Sequence, residues 1–311
     1  MPPVVAATLK TDVTRRACPA PSFFSIQGWF MAASADVSLL ARRFAPWSFS
    51  KMEAAEACPA QFNFKHVAKT AASPATSDTK VGIHVHEVLE HRVLGKSARD
   101  AQQLAAAKTP LTTQEQETLH MFAENIEDFL QRFDRFCKTQ GVTKLLTEVA
   151  WGFTDTYQPA SFFAPDVYFR GKLDLGILTR DNDLYLLDHK SGVAKPLVDD
   201  PKKQAQLQAY GVLAMPNLPD IGGVRGGIHF LQGDAPLRIQ WAPYLAANTL
   251  RAAYRPWLFD RINEAAANLT EPYEARPAKS RMKKNKQPGW PCGWCNYQAH
   301  CPAFKEKFGG A

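Results

Sequence analysis

No stretch of this chain carries an apolar run long enough to span a membrane. The N-terminus also lacks a continuous apolar core followed by a clean cleavage site. An intracellular protein is therefore the expectation, with no membrane partner. No GxxxxGK[ST] stretch occurs, so the chain has no evident nucleotide-driven motor of its own. No internal repeat is visible, which excludes a solenoid. Acidic residues are in shortage: 30 against 37 Lys and Arg, giving +7 and a pI near 9.0. That balance favours a polyanionic partner. Cysteine is sparse and uneven, six residues in 311. Cys18 and Cys137 stand alone, whereas Cys292, Cys295 and Cys301 crowd into C-x2-C-x5-C, with Cys58 far upstream. In a reducing compartment this pattern argues against a disulfide framework and for a metal or cluster site.

What is present reads as soluble and globular, at 45% hydrophobic and 22% charged. The length suffices for one large domain or two small ones. Residues 1–44 mix Pro, Ala and Arg around a short apolar patch, Phe23 to Phe30, and read as a poorly anchored extension. Met31 is a candidate alternative start. From Pro46 the pattern tightens. Ser48 or Ser50 is a candidate helix cap, and Ser50 to Glu53 matches a capping box. Residues 70–80 read as a loop. Helices are expected over 82–94, 112–138, 199–213 and roughly 245–268. Strands are expected near 144–153, 165–177, 183–189, 225–232 and 236–241. The order implies an α/β fold, a central mixed sheet flanked by helices.

The most informative stretch is RGKLDLGILTRDNDLYLLDHKSG, Arg170 to Gly192. It reads as a β-hairpin turning at Asp181 to Asp183. Asp188 and Lys190 are two apart and share a strand face, with His189 pointing the other way. Asp174 approaches Asp188 from the neighbouring strand. Two carboxylates supply oxygen ligands for Mg²⁺ or Mn²⁺, and a lysine beside them can steer water or offset phosphate charge. Leu184 to Leu187 mark a buried strand, where charged groups need a reason.

In GIHVHEVLE, Gly82 and His86 lie one helical turn apart. His86 is a candidate nitrogen ligand to the same cation. His84 faces elsewhere, and Glu87 and Glu90 read as surface charges. Gln206 and Tyr210 share a helix face in QLQAY, where the amide can hold a phosphate or an acidic side chain. Lys202 and Lys203 are candidate phosphate contacts, as is the basic run RMKKNK, Arg281 to Lys286.

Three thiolates within ten residues need a fourth ligand for a tetrahedral centre. Cys58 is the best candidate, and His300 is an alternative. Zn²⁺ and a [4Fe–4S] cluster both suit four cysteines, and the spacing leaves the choice open. Either would clasp the N-terminal helix to the C-terminal tail.

In this order, WSFSKMEAAEACPAQFNF, GIHVHEVLE, GKLDL, LLDHKSG, QLQAY and the three-cysteine ending resemble the RecB-like branch of the PD-(D/E)XK nuclease superfamily. The resemblance is to its iron–sulfur exonucleases: the AddB nuclease domain, CRISPR-adaptation exonucleases and stand-alone prophage nucleases. It runs from about Trp47 to Phe304. It implies a restriction-endonuclease-like α/β core over 45–306, closed by a C-terminal cysteine cluster, with a tail at 307–311. It implies that His86, Asp174, Asp188 and the His189 carbonyl hold Mg²⁺ or Mn²⁺. Lys190 would position the attacking water, with Gln206 and Tyr210 supporting the site. Cys58, Cys292, Cys295 and Cys301 would hold a structural [4Fe–4S] cluster. The implied activity is metal-dependent DNA exonuclease action on single-stranded or free ends, in a bacterial or phage setting, with any helicase or recombinase coupling supplied by a partner. A non-catalytic DNA-binding accessory protein is the alternative, and the intact His86, Asp174, Asp188 and Lys190 set argues against it.

Overall fold

The structure is a computed structural model that describes residues 37–72, 76–194, 196–233, 238–269, 292 and 295–308. Expectations for Cys18, Phe23 to Phe30, Met31 and the RMKKNK run lie outside the described residues. Ser38 caps α1 (Leu39–Arg43) by accepting the Ala41 N–H. Ser48, in extended backbone, caps α2 (Phe49–Ala57) by accepting the Lys51 N–H at 3.2 Å. Ser50 already lies inside that helix, so the expected Ser50–Glu53 box does not form. Cys58 ends α2, and Pro59 starts α3 (Pro59–Phe62), which continues as a π-helical turn, Asn63–Val67.

Thr76 caps α4 (Ser77–Val93), so the helix begins inside the stretch read as a loop. The next helix, α5 (Ala98–Lys108), was not anticipated. Its alanines favour helix intrinsically, but its apolar face is narrow and buries only Ala101 and Ala105. The long α6 (Thr113–Gln140) opens on a capping box between Thr112 and Glu115 and ends at Gly141, whose φ is +62°. Phe122, Ile126 and Phe129 form its buried stripe.

The strands are β1 (Val142–Thr154), β2 (Pro159–Ser161), β3 (Val167–Thr179) and β4 (Asp183–Val193). After α7 (Pro201–Asn217) come β5 (Gly223–Gln232), β6 (Ile239–Trp241) and β7 (Leu245–Ala246). Then follow α8 (Ala247–Thr249), a π-helical turn, α9 (Arg255–Ala267) and α10 (Pro302–Phe308). Seven strands form one mixed sheet in the order β2-β1-β3-β4-β5-β6, with β7 also pairing β5. Only β4 and β5 pair in parallel, and α7 makes that crossover.

Helices cover both faces. Trp47, Met52, Phe62, Val212, Leu213, Phe259 and Ile262 pack with Phe153, Phe169, Leu184 and Leu186 on one side. Val85, Leu89, Ala101, Phe122, Ile126 and Phe129 pack with Leu175, Ile177 and Leu187 on the other. Each large side chain so buried contributes about 1.5–3 kcal/mol.

One expectation is corrected. The sheet is open, with β2 at one edge and β6 at the other, and no cysteine cluster closes the fold. Among the described residues the cysteines do not converge as a ligand group. What fixes the C-terminal segment is apolar: Tyr297, 6% exposed, stacks on Phe64 at 5.8 Å. No helix among the described residues is long and apolar enough to cross a membrane.

Candidate metal centre at the fork of the sheet

The site begins where β3 and β4 part. They pair through Leu175–Leu178 and Leu184–Leu187 and no further. Beyond that point β3 takes Trp47 as its neighbour: the Trp47 N–H donates to Tyr168 O, and the Arg170 N–H donates to Trp47 O. Meanwhile β4 runs on beside β5. Asp174 and Asp188 occupy the first unpaired rung of this fork. The His189 backbone N–H turns into the gap and donates to Asp174 Oδ2 at 2.7 Å. A strand end buried among leucines thus carries two carboxylates because the ladder has opened around them.

From α4, His86 reaches in, with Nδ1 3.5 Å from Asp174 Oδ2. Gly82, one turn earlier, lets α4 sit close to β4: a Cβ there would meet Ser191 Oγ at 3.0 Å. From β1 comes Glu148. Ligand atoms of His86, Glu148 and Asp174 all lie within 4.8 Å of one another. Bonds of about 2.0–2.6 Å from a shared hard cation can span such a triangle. Sequence reasoning missed Glu148. Its backbone φ of +50° departs from strand geometry. Nearby the side-chain alternation slips: Leu173 packs with the α7 face, yet Leu175 packs with α4 and α6.

Asp188 stands next to the triangle, not in it, at 6% exposed. Its Oδ1 accepts from Gln206 Nε2 at 3.3 Å, and the same amide donates to Tyr210 Oη at 3.0 Å. Its Oδ2 lies 2.6 Å from the Lys190 ammonium, an ion pair. The approach gives that buried oxygen no hydrogen bond of regular geometry. Burial pushes the Asp188 carboxyl up to about 6; Lys190 opposes the shift and Asp174 adds to it. Burial also raises Asp174, against the pull of His86 and the His189 N–H. Burial acts to lower Lys190, but Asp188 and then Asp174 more than offset this, and the ammonium is raised. Lys190 is therefore a cation at neutral pH: a donor, not a base. Buried acids with an under-satisfied oxygen, beside a histidine, fit a divalent cation.

Behind the site, His189 Nδ1 and His229 Nδ1 are 2.9 Å apart, and Phe129 stacks on His229 at 4.2 Å. Burial drives both imidazoles down, His229 to about 3. The pair is neutral and shares one ring proton across that contact. His229 gave no sequence signal beyond one polar residue in an apolar strand.

The cleft over the site has a volume of about 440 Å³ and includes Gly82, His86, Glu87, Glu148, Lys172, Asp174, Lys190 and Ser191 in its wall. Glu87 is not the surface charge expected of it. It is 12% exposed and pairs with Lys108 at 2.5 Å. Burial, then Glu148 and Glu87, raise Glu90. Lys172 pairs with Glu148. His84 is buried with Nδ1 on Thr109 O at 2.9 Å, away from the cation site. Lys202 lies 3.5 Å from Glu53, and Lys203 pairs with Asp200, so both expected phosphate contacts carry internal partners.

The cysteine set lies elsewhere. Burial raises the Cys295 thiol, and the thiols of Cys58, Cys301 and Cys292 push it the same way, against a backbone hydrogen bond at Tyr297. The described cysteines, Cys58, Cys137, Cys292, Cys295 and Cys301, are free thiols.

A mixed sheet that forks around paired acids, with a lysine two residues past the second acid, defines an α/β protein with a candidate divalent-cation site. A family model of the PD-(D/E)XK nuclease superfamily matches residues 46–302, and the chain belongs to that superfamily. No curated protein matches it. Among solved structures, one from Eubacterium rectale named "Putative exonuclease" is similar at 11% identity, covering 78% of this chain and 88% of that one, with a TM-score of 0.44. The structure of SSO0001 is similar at 15% identity, covering 85% and 94%, with a TM-score of 0.29.

Proposed function

We propose that this chain is a Mg²⁺- or Mn²⁺-dependent deoxyribonuclease of the RecB-like type, an exonuclease that hydrolyses DNA from ends with a single strand at the site. The observation that supports it most is the convergence of His86, Glu148 and Asp174 beside the Asp188–Lys190 pair. His86, Glu148 and Asp174 would hold the cation, with Asp188 and the His189 carbonyl as further ligand candidates. When bound, the cation supplies Lewis-acid charge to a phosphate oxygen and lowers the pKa of water. Lys190 donates to the attacking water or to the phosphate oxygen that gains charge. Asp188 holds Lys190 in place, and Gln206, braced on Tyr210, holds Asp188. The His189 N–H fixes the Asp174 carboxylate.

The Cys295 thiol is within electrostatic reach of Cys58, Cys301 and Cys292, which supports these four as the residues that would hold a local [4Fe–4S] site, with Zn²⁺ as its alternative. A helicase or recombinase partner would deliver the strand to the site.

The test is cleavage of end-labelled linear DNA and covalently closed circles by anaerobically purified protein in Mg²⁺ or Mn²⁺, beside Lys190→Ala. Metal-dependent loss of linear label, reduced about 10²- to 10³-fold in the variant, is expected. Equal rates in wild type and variant would sink the assignment.

A further inference from the structure

We propose that the loop between β2 and β3 is a base-stacking platform for the single strand that leads into the metal centre. This rests on the nuclease reading above and names a substrate subsite for it. Phe163 stands on that loop 84% exposed. A ring so exposed presents its face to a flat partner. The loop is braced from below. Arg170 Cζ lies 4.5 Å from the Phe162 ring centre and 5.9 Å from that of Phe163. Its Nη1 donates to Phe162 O at 3.0 Å. The two phenyl rings meet edge to face at 5.0 Å. Phe163 is thus held out from a guanidinium base on a fixed loop.

The strand register ties this loop to the site. Arg170, Lys172 and Asp174 alternate along β3, and that stretch pairs with β1 without a shift. All three therefore share one face. Four residues of strand put Arg170 about 13 Å from Asp174. Of the two cations on that path, Lys172 is paired with Glu148, whereas no carboxylate among the described residues forms an ion pair with Arg170, whose charge is left for an anionic partner. A partner that fits must bring negative charge at intervals and flat π-faces between. Single-stranded DNA brings both. Every base offers a face, so stacking on Phe163 is tolerant of sequence.

The experiment uses the full chain without added divalent metal and follows fluorescence anisotropy of mixed-sequence single-stranded DNA. Phe163→Ala and Phe163→Trp are compared with wild type, and an abasic site is stepped along the oligonucleotide. Phe163→Ala should weaken binding roughly tenfold, and Phe163→Trp should restore it. One abasic position should weaken wild type and leave Phe163→Ala unaffected. The slope of affinity against salt should be the same in both, because no phosphate contact is removed. Thermal stability should not move, since the ring is exposed. If wild type binds and cleaves DNA while Phe163→Ala binds equally well, the platform is wrong and the nuclease reading survives. If wild type neither binds nor cleaves, both fail. If Phe163→Ala instead turns a dimer into a monomer with unchanged DNA affinity, the ring is a contact between copies and the platform is overturned.

Discussion

Glu148 lies opposite Asp174 on adjacent strands, between the pairs Thr147–Leu175 and Val149–Leu173, and its φ is +50°. A glutamate with that backbone, in the middle of a strand, costs conformational energy that a regular ladder would avoid. The return is a third ligand atom: Glu148 closes the triangle with His86 and Asp174. The strain and the site are at one residue.

That coincidence predicts that glycine and alanine at this position differ in stability while losing metal binding alike. Glu148→Gly and Glu148→Ala both remove the carboxylate and its ion pair with Lys172. Only glycine adopts the observed backbone freely. Glu148→Gly should be more stable than Glu148→Ala by about 1 kcal/mol in urea denaturation. Both should weaken Mn²⁺ binding at least tenfold by calorimetry. Equal stability of the two variants would show that the backbone there is relaxed.

This residue also marks where sequence reading stops. Asp174, Asp188 and Lys190 stand out because they interrupt apolar strands, and His86 because it follows Gly82 on a helix. Glu148 sits in LLTEVAWGF, where alternation makes it an ordinary outward strand residue. Only the backbone slip aims it at the site. The mixed sheet and helix α6 were legible from period alone. Strands β2 and β7 span three and two residues, too short for a periodic signal. The cysteine spacing suggested a closure of the fold, but spacing along the chain does not report where a sheet ends.

On the proposed reading, a cation held beside Asp188 competes with the proton for its carboxylate. Its carboxyl is raised from 3.8 to about 6, chiefly by burial. Cation affinity should therefore rise with pH through about 6 and then level. Without cation the sign reverses: the folded state holds a proton between 3.8 and about 6 that the unfolded chain has released. The stability so contributed is complete below 3.8 and lost as pH rises through about 6. Thermal melts with and without Mn²⁺ should give a larger metal-induced gain at pH 7.5 than at pH 5, and Asp188→Asn should flatten that difference. A gain independent of pH in wild type would place the carboxylate outside the cation's reach.

His229 touches none of the ligands, yet it braces the residue whose N–H holds Asp174. Replacing it by phenylalanine keeps a flat ring against Phe129 and removes the Nδ1 contact to His189. A buried imidazole nitrogen is then unpaired, at a cost of about 1–3 kcal/mol. His229→Phe should lose that much in urea denaturation. If His189 has turned to find another partner, Mn²⁺ affinity should fall with it, and His229→Asn should recover part of both. Unchanged stability in His229→Phe would mean that the histidine pair contributes nothing net.

Lys51 gives the fold its own pH signature, away from the cation. Its Nζ donates to Phe44 O at 2.5 Å and Pro46 O at 3.2 Å, between the rings of Trp47 and Phe62. Burial, and then Arg170, lower this amine from 10.5 to about 8. Between those values the unfolded chain still carries the proton and the folded chain has released it. The unfolded state binds more protons, so this group's contribution to stability rises with pH across that window. Relative to Lys51→Met, wild type should gain on the order of 2 kcal/mol between pH 7.5 and 10.5. Urea titrations of both proteins at the two pH values measure it. A constant difference would show that Lys51 stays charged in the fold, stabilised by the two carbonyls and the flanking rings more than burial disfavours it.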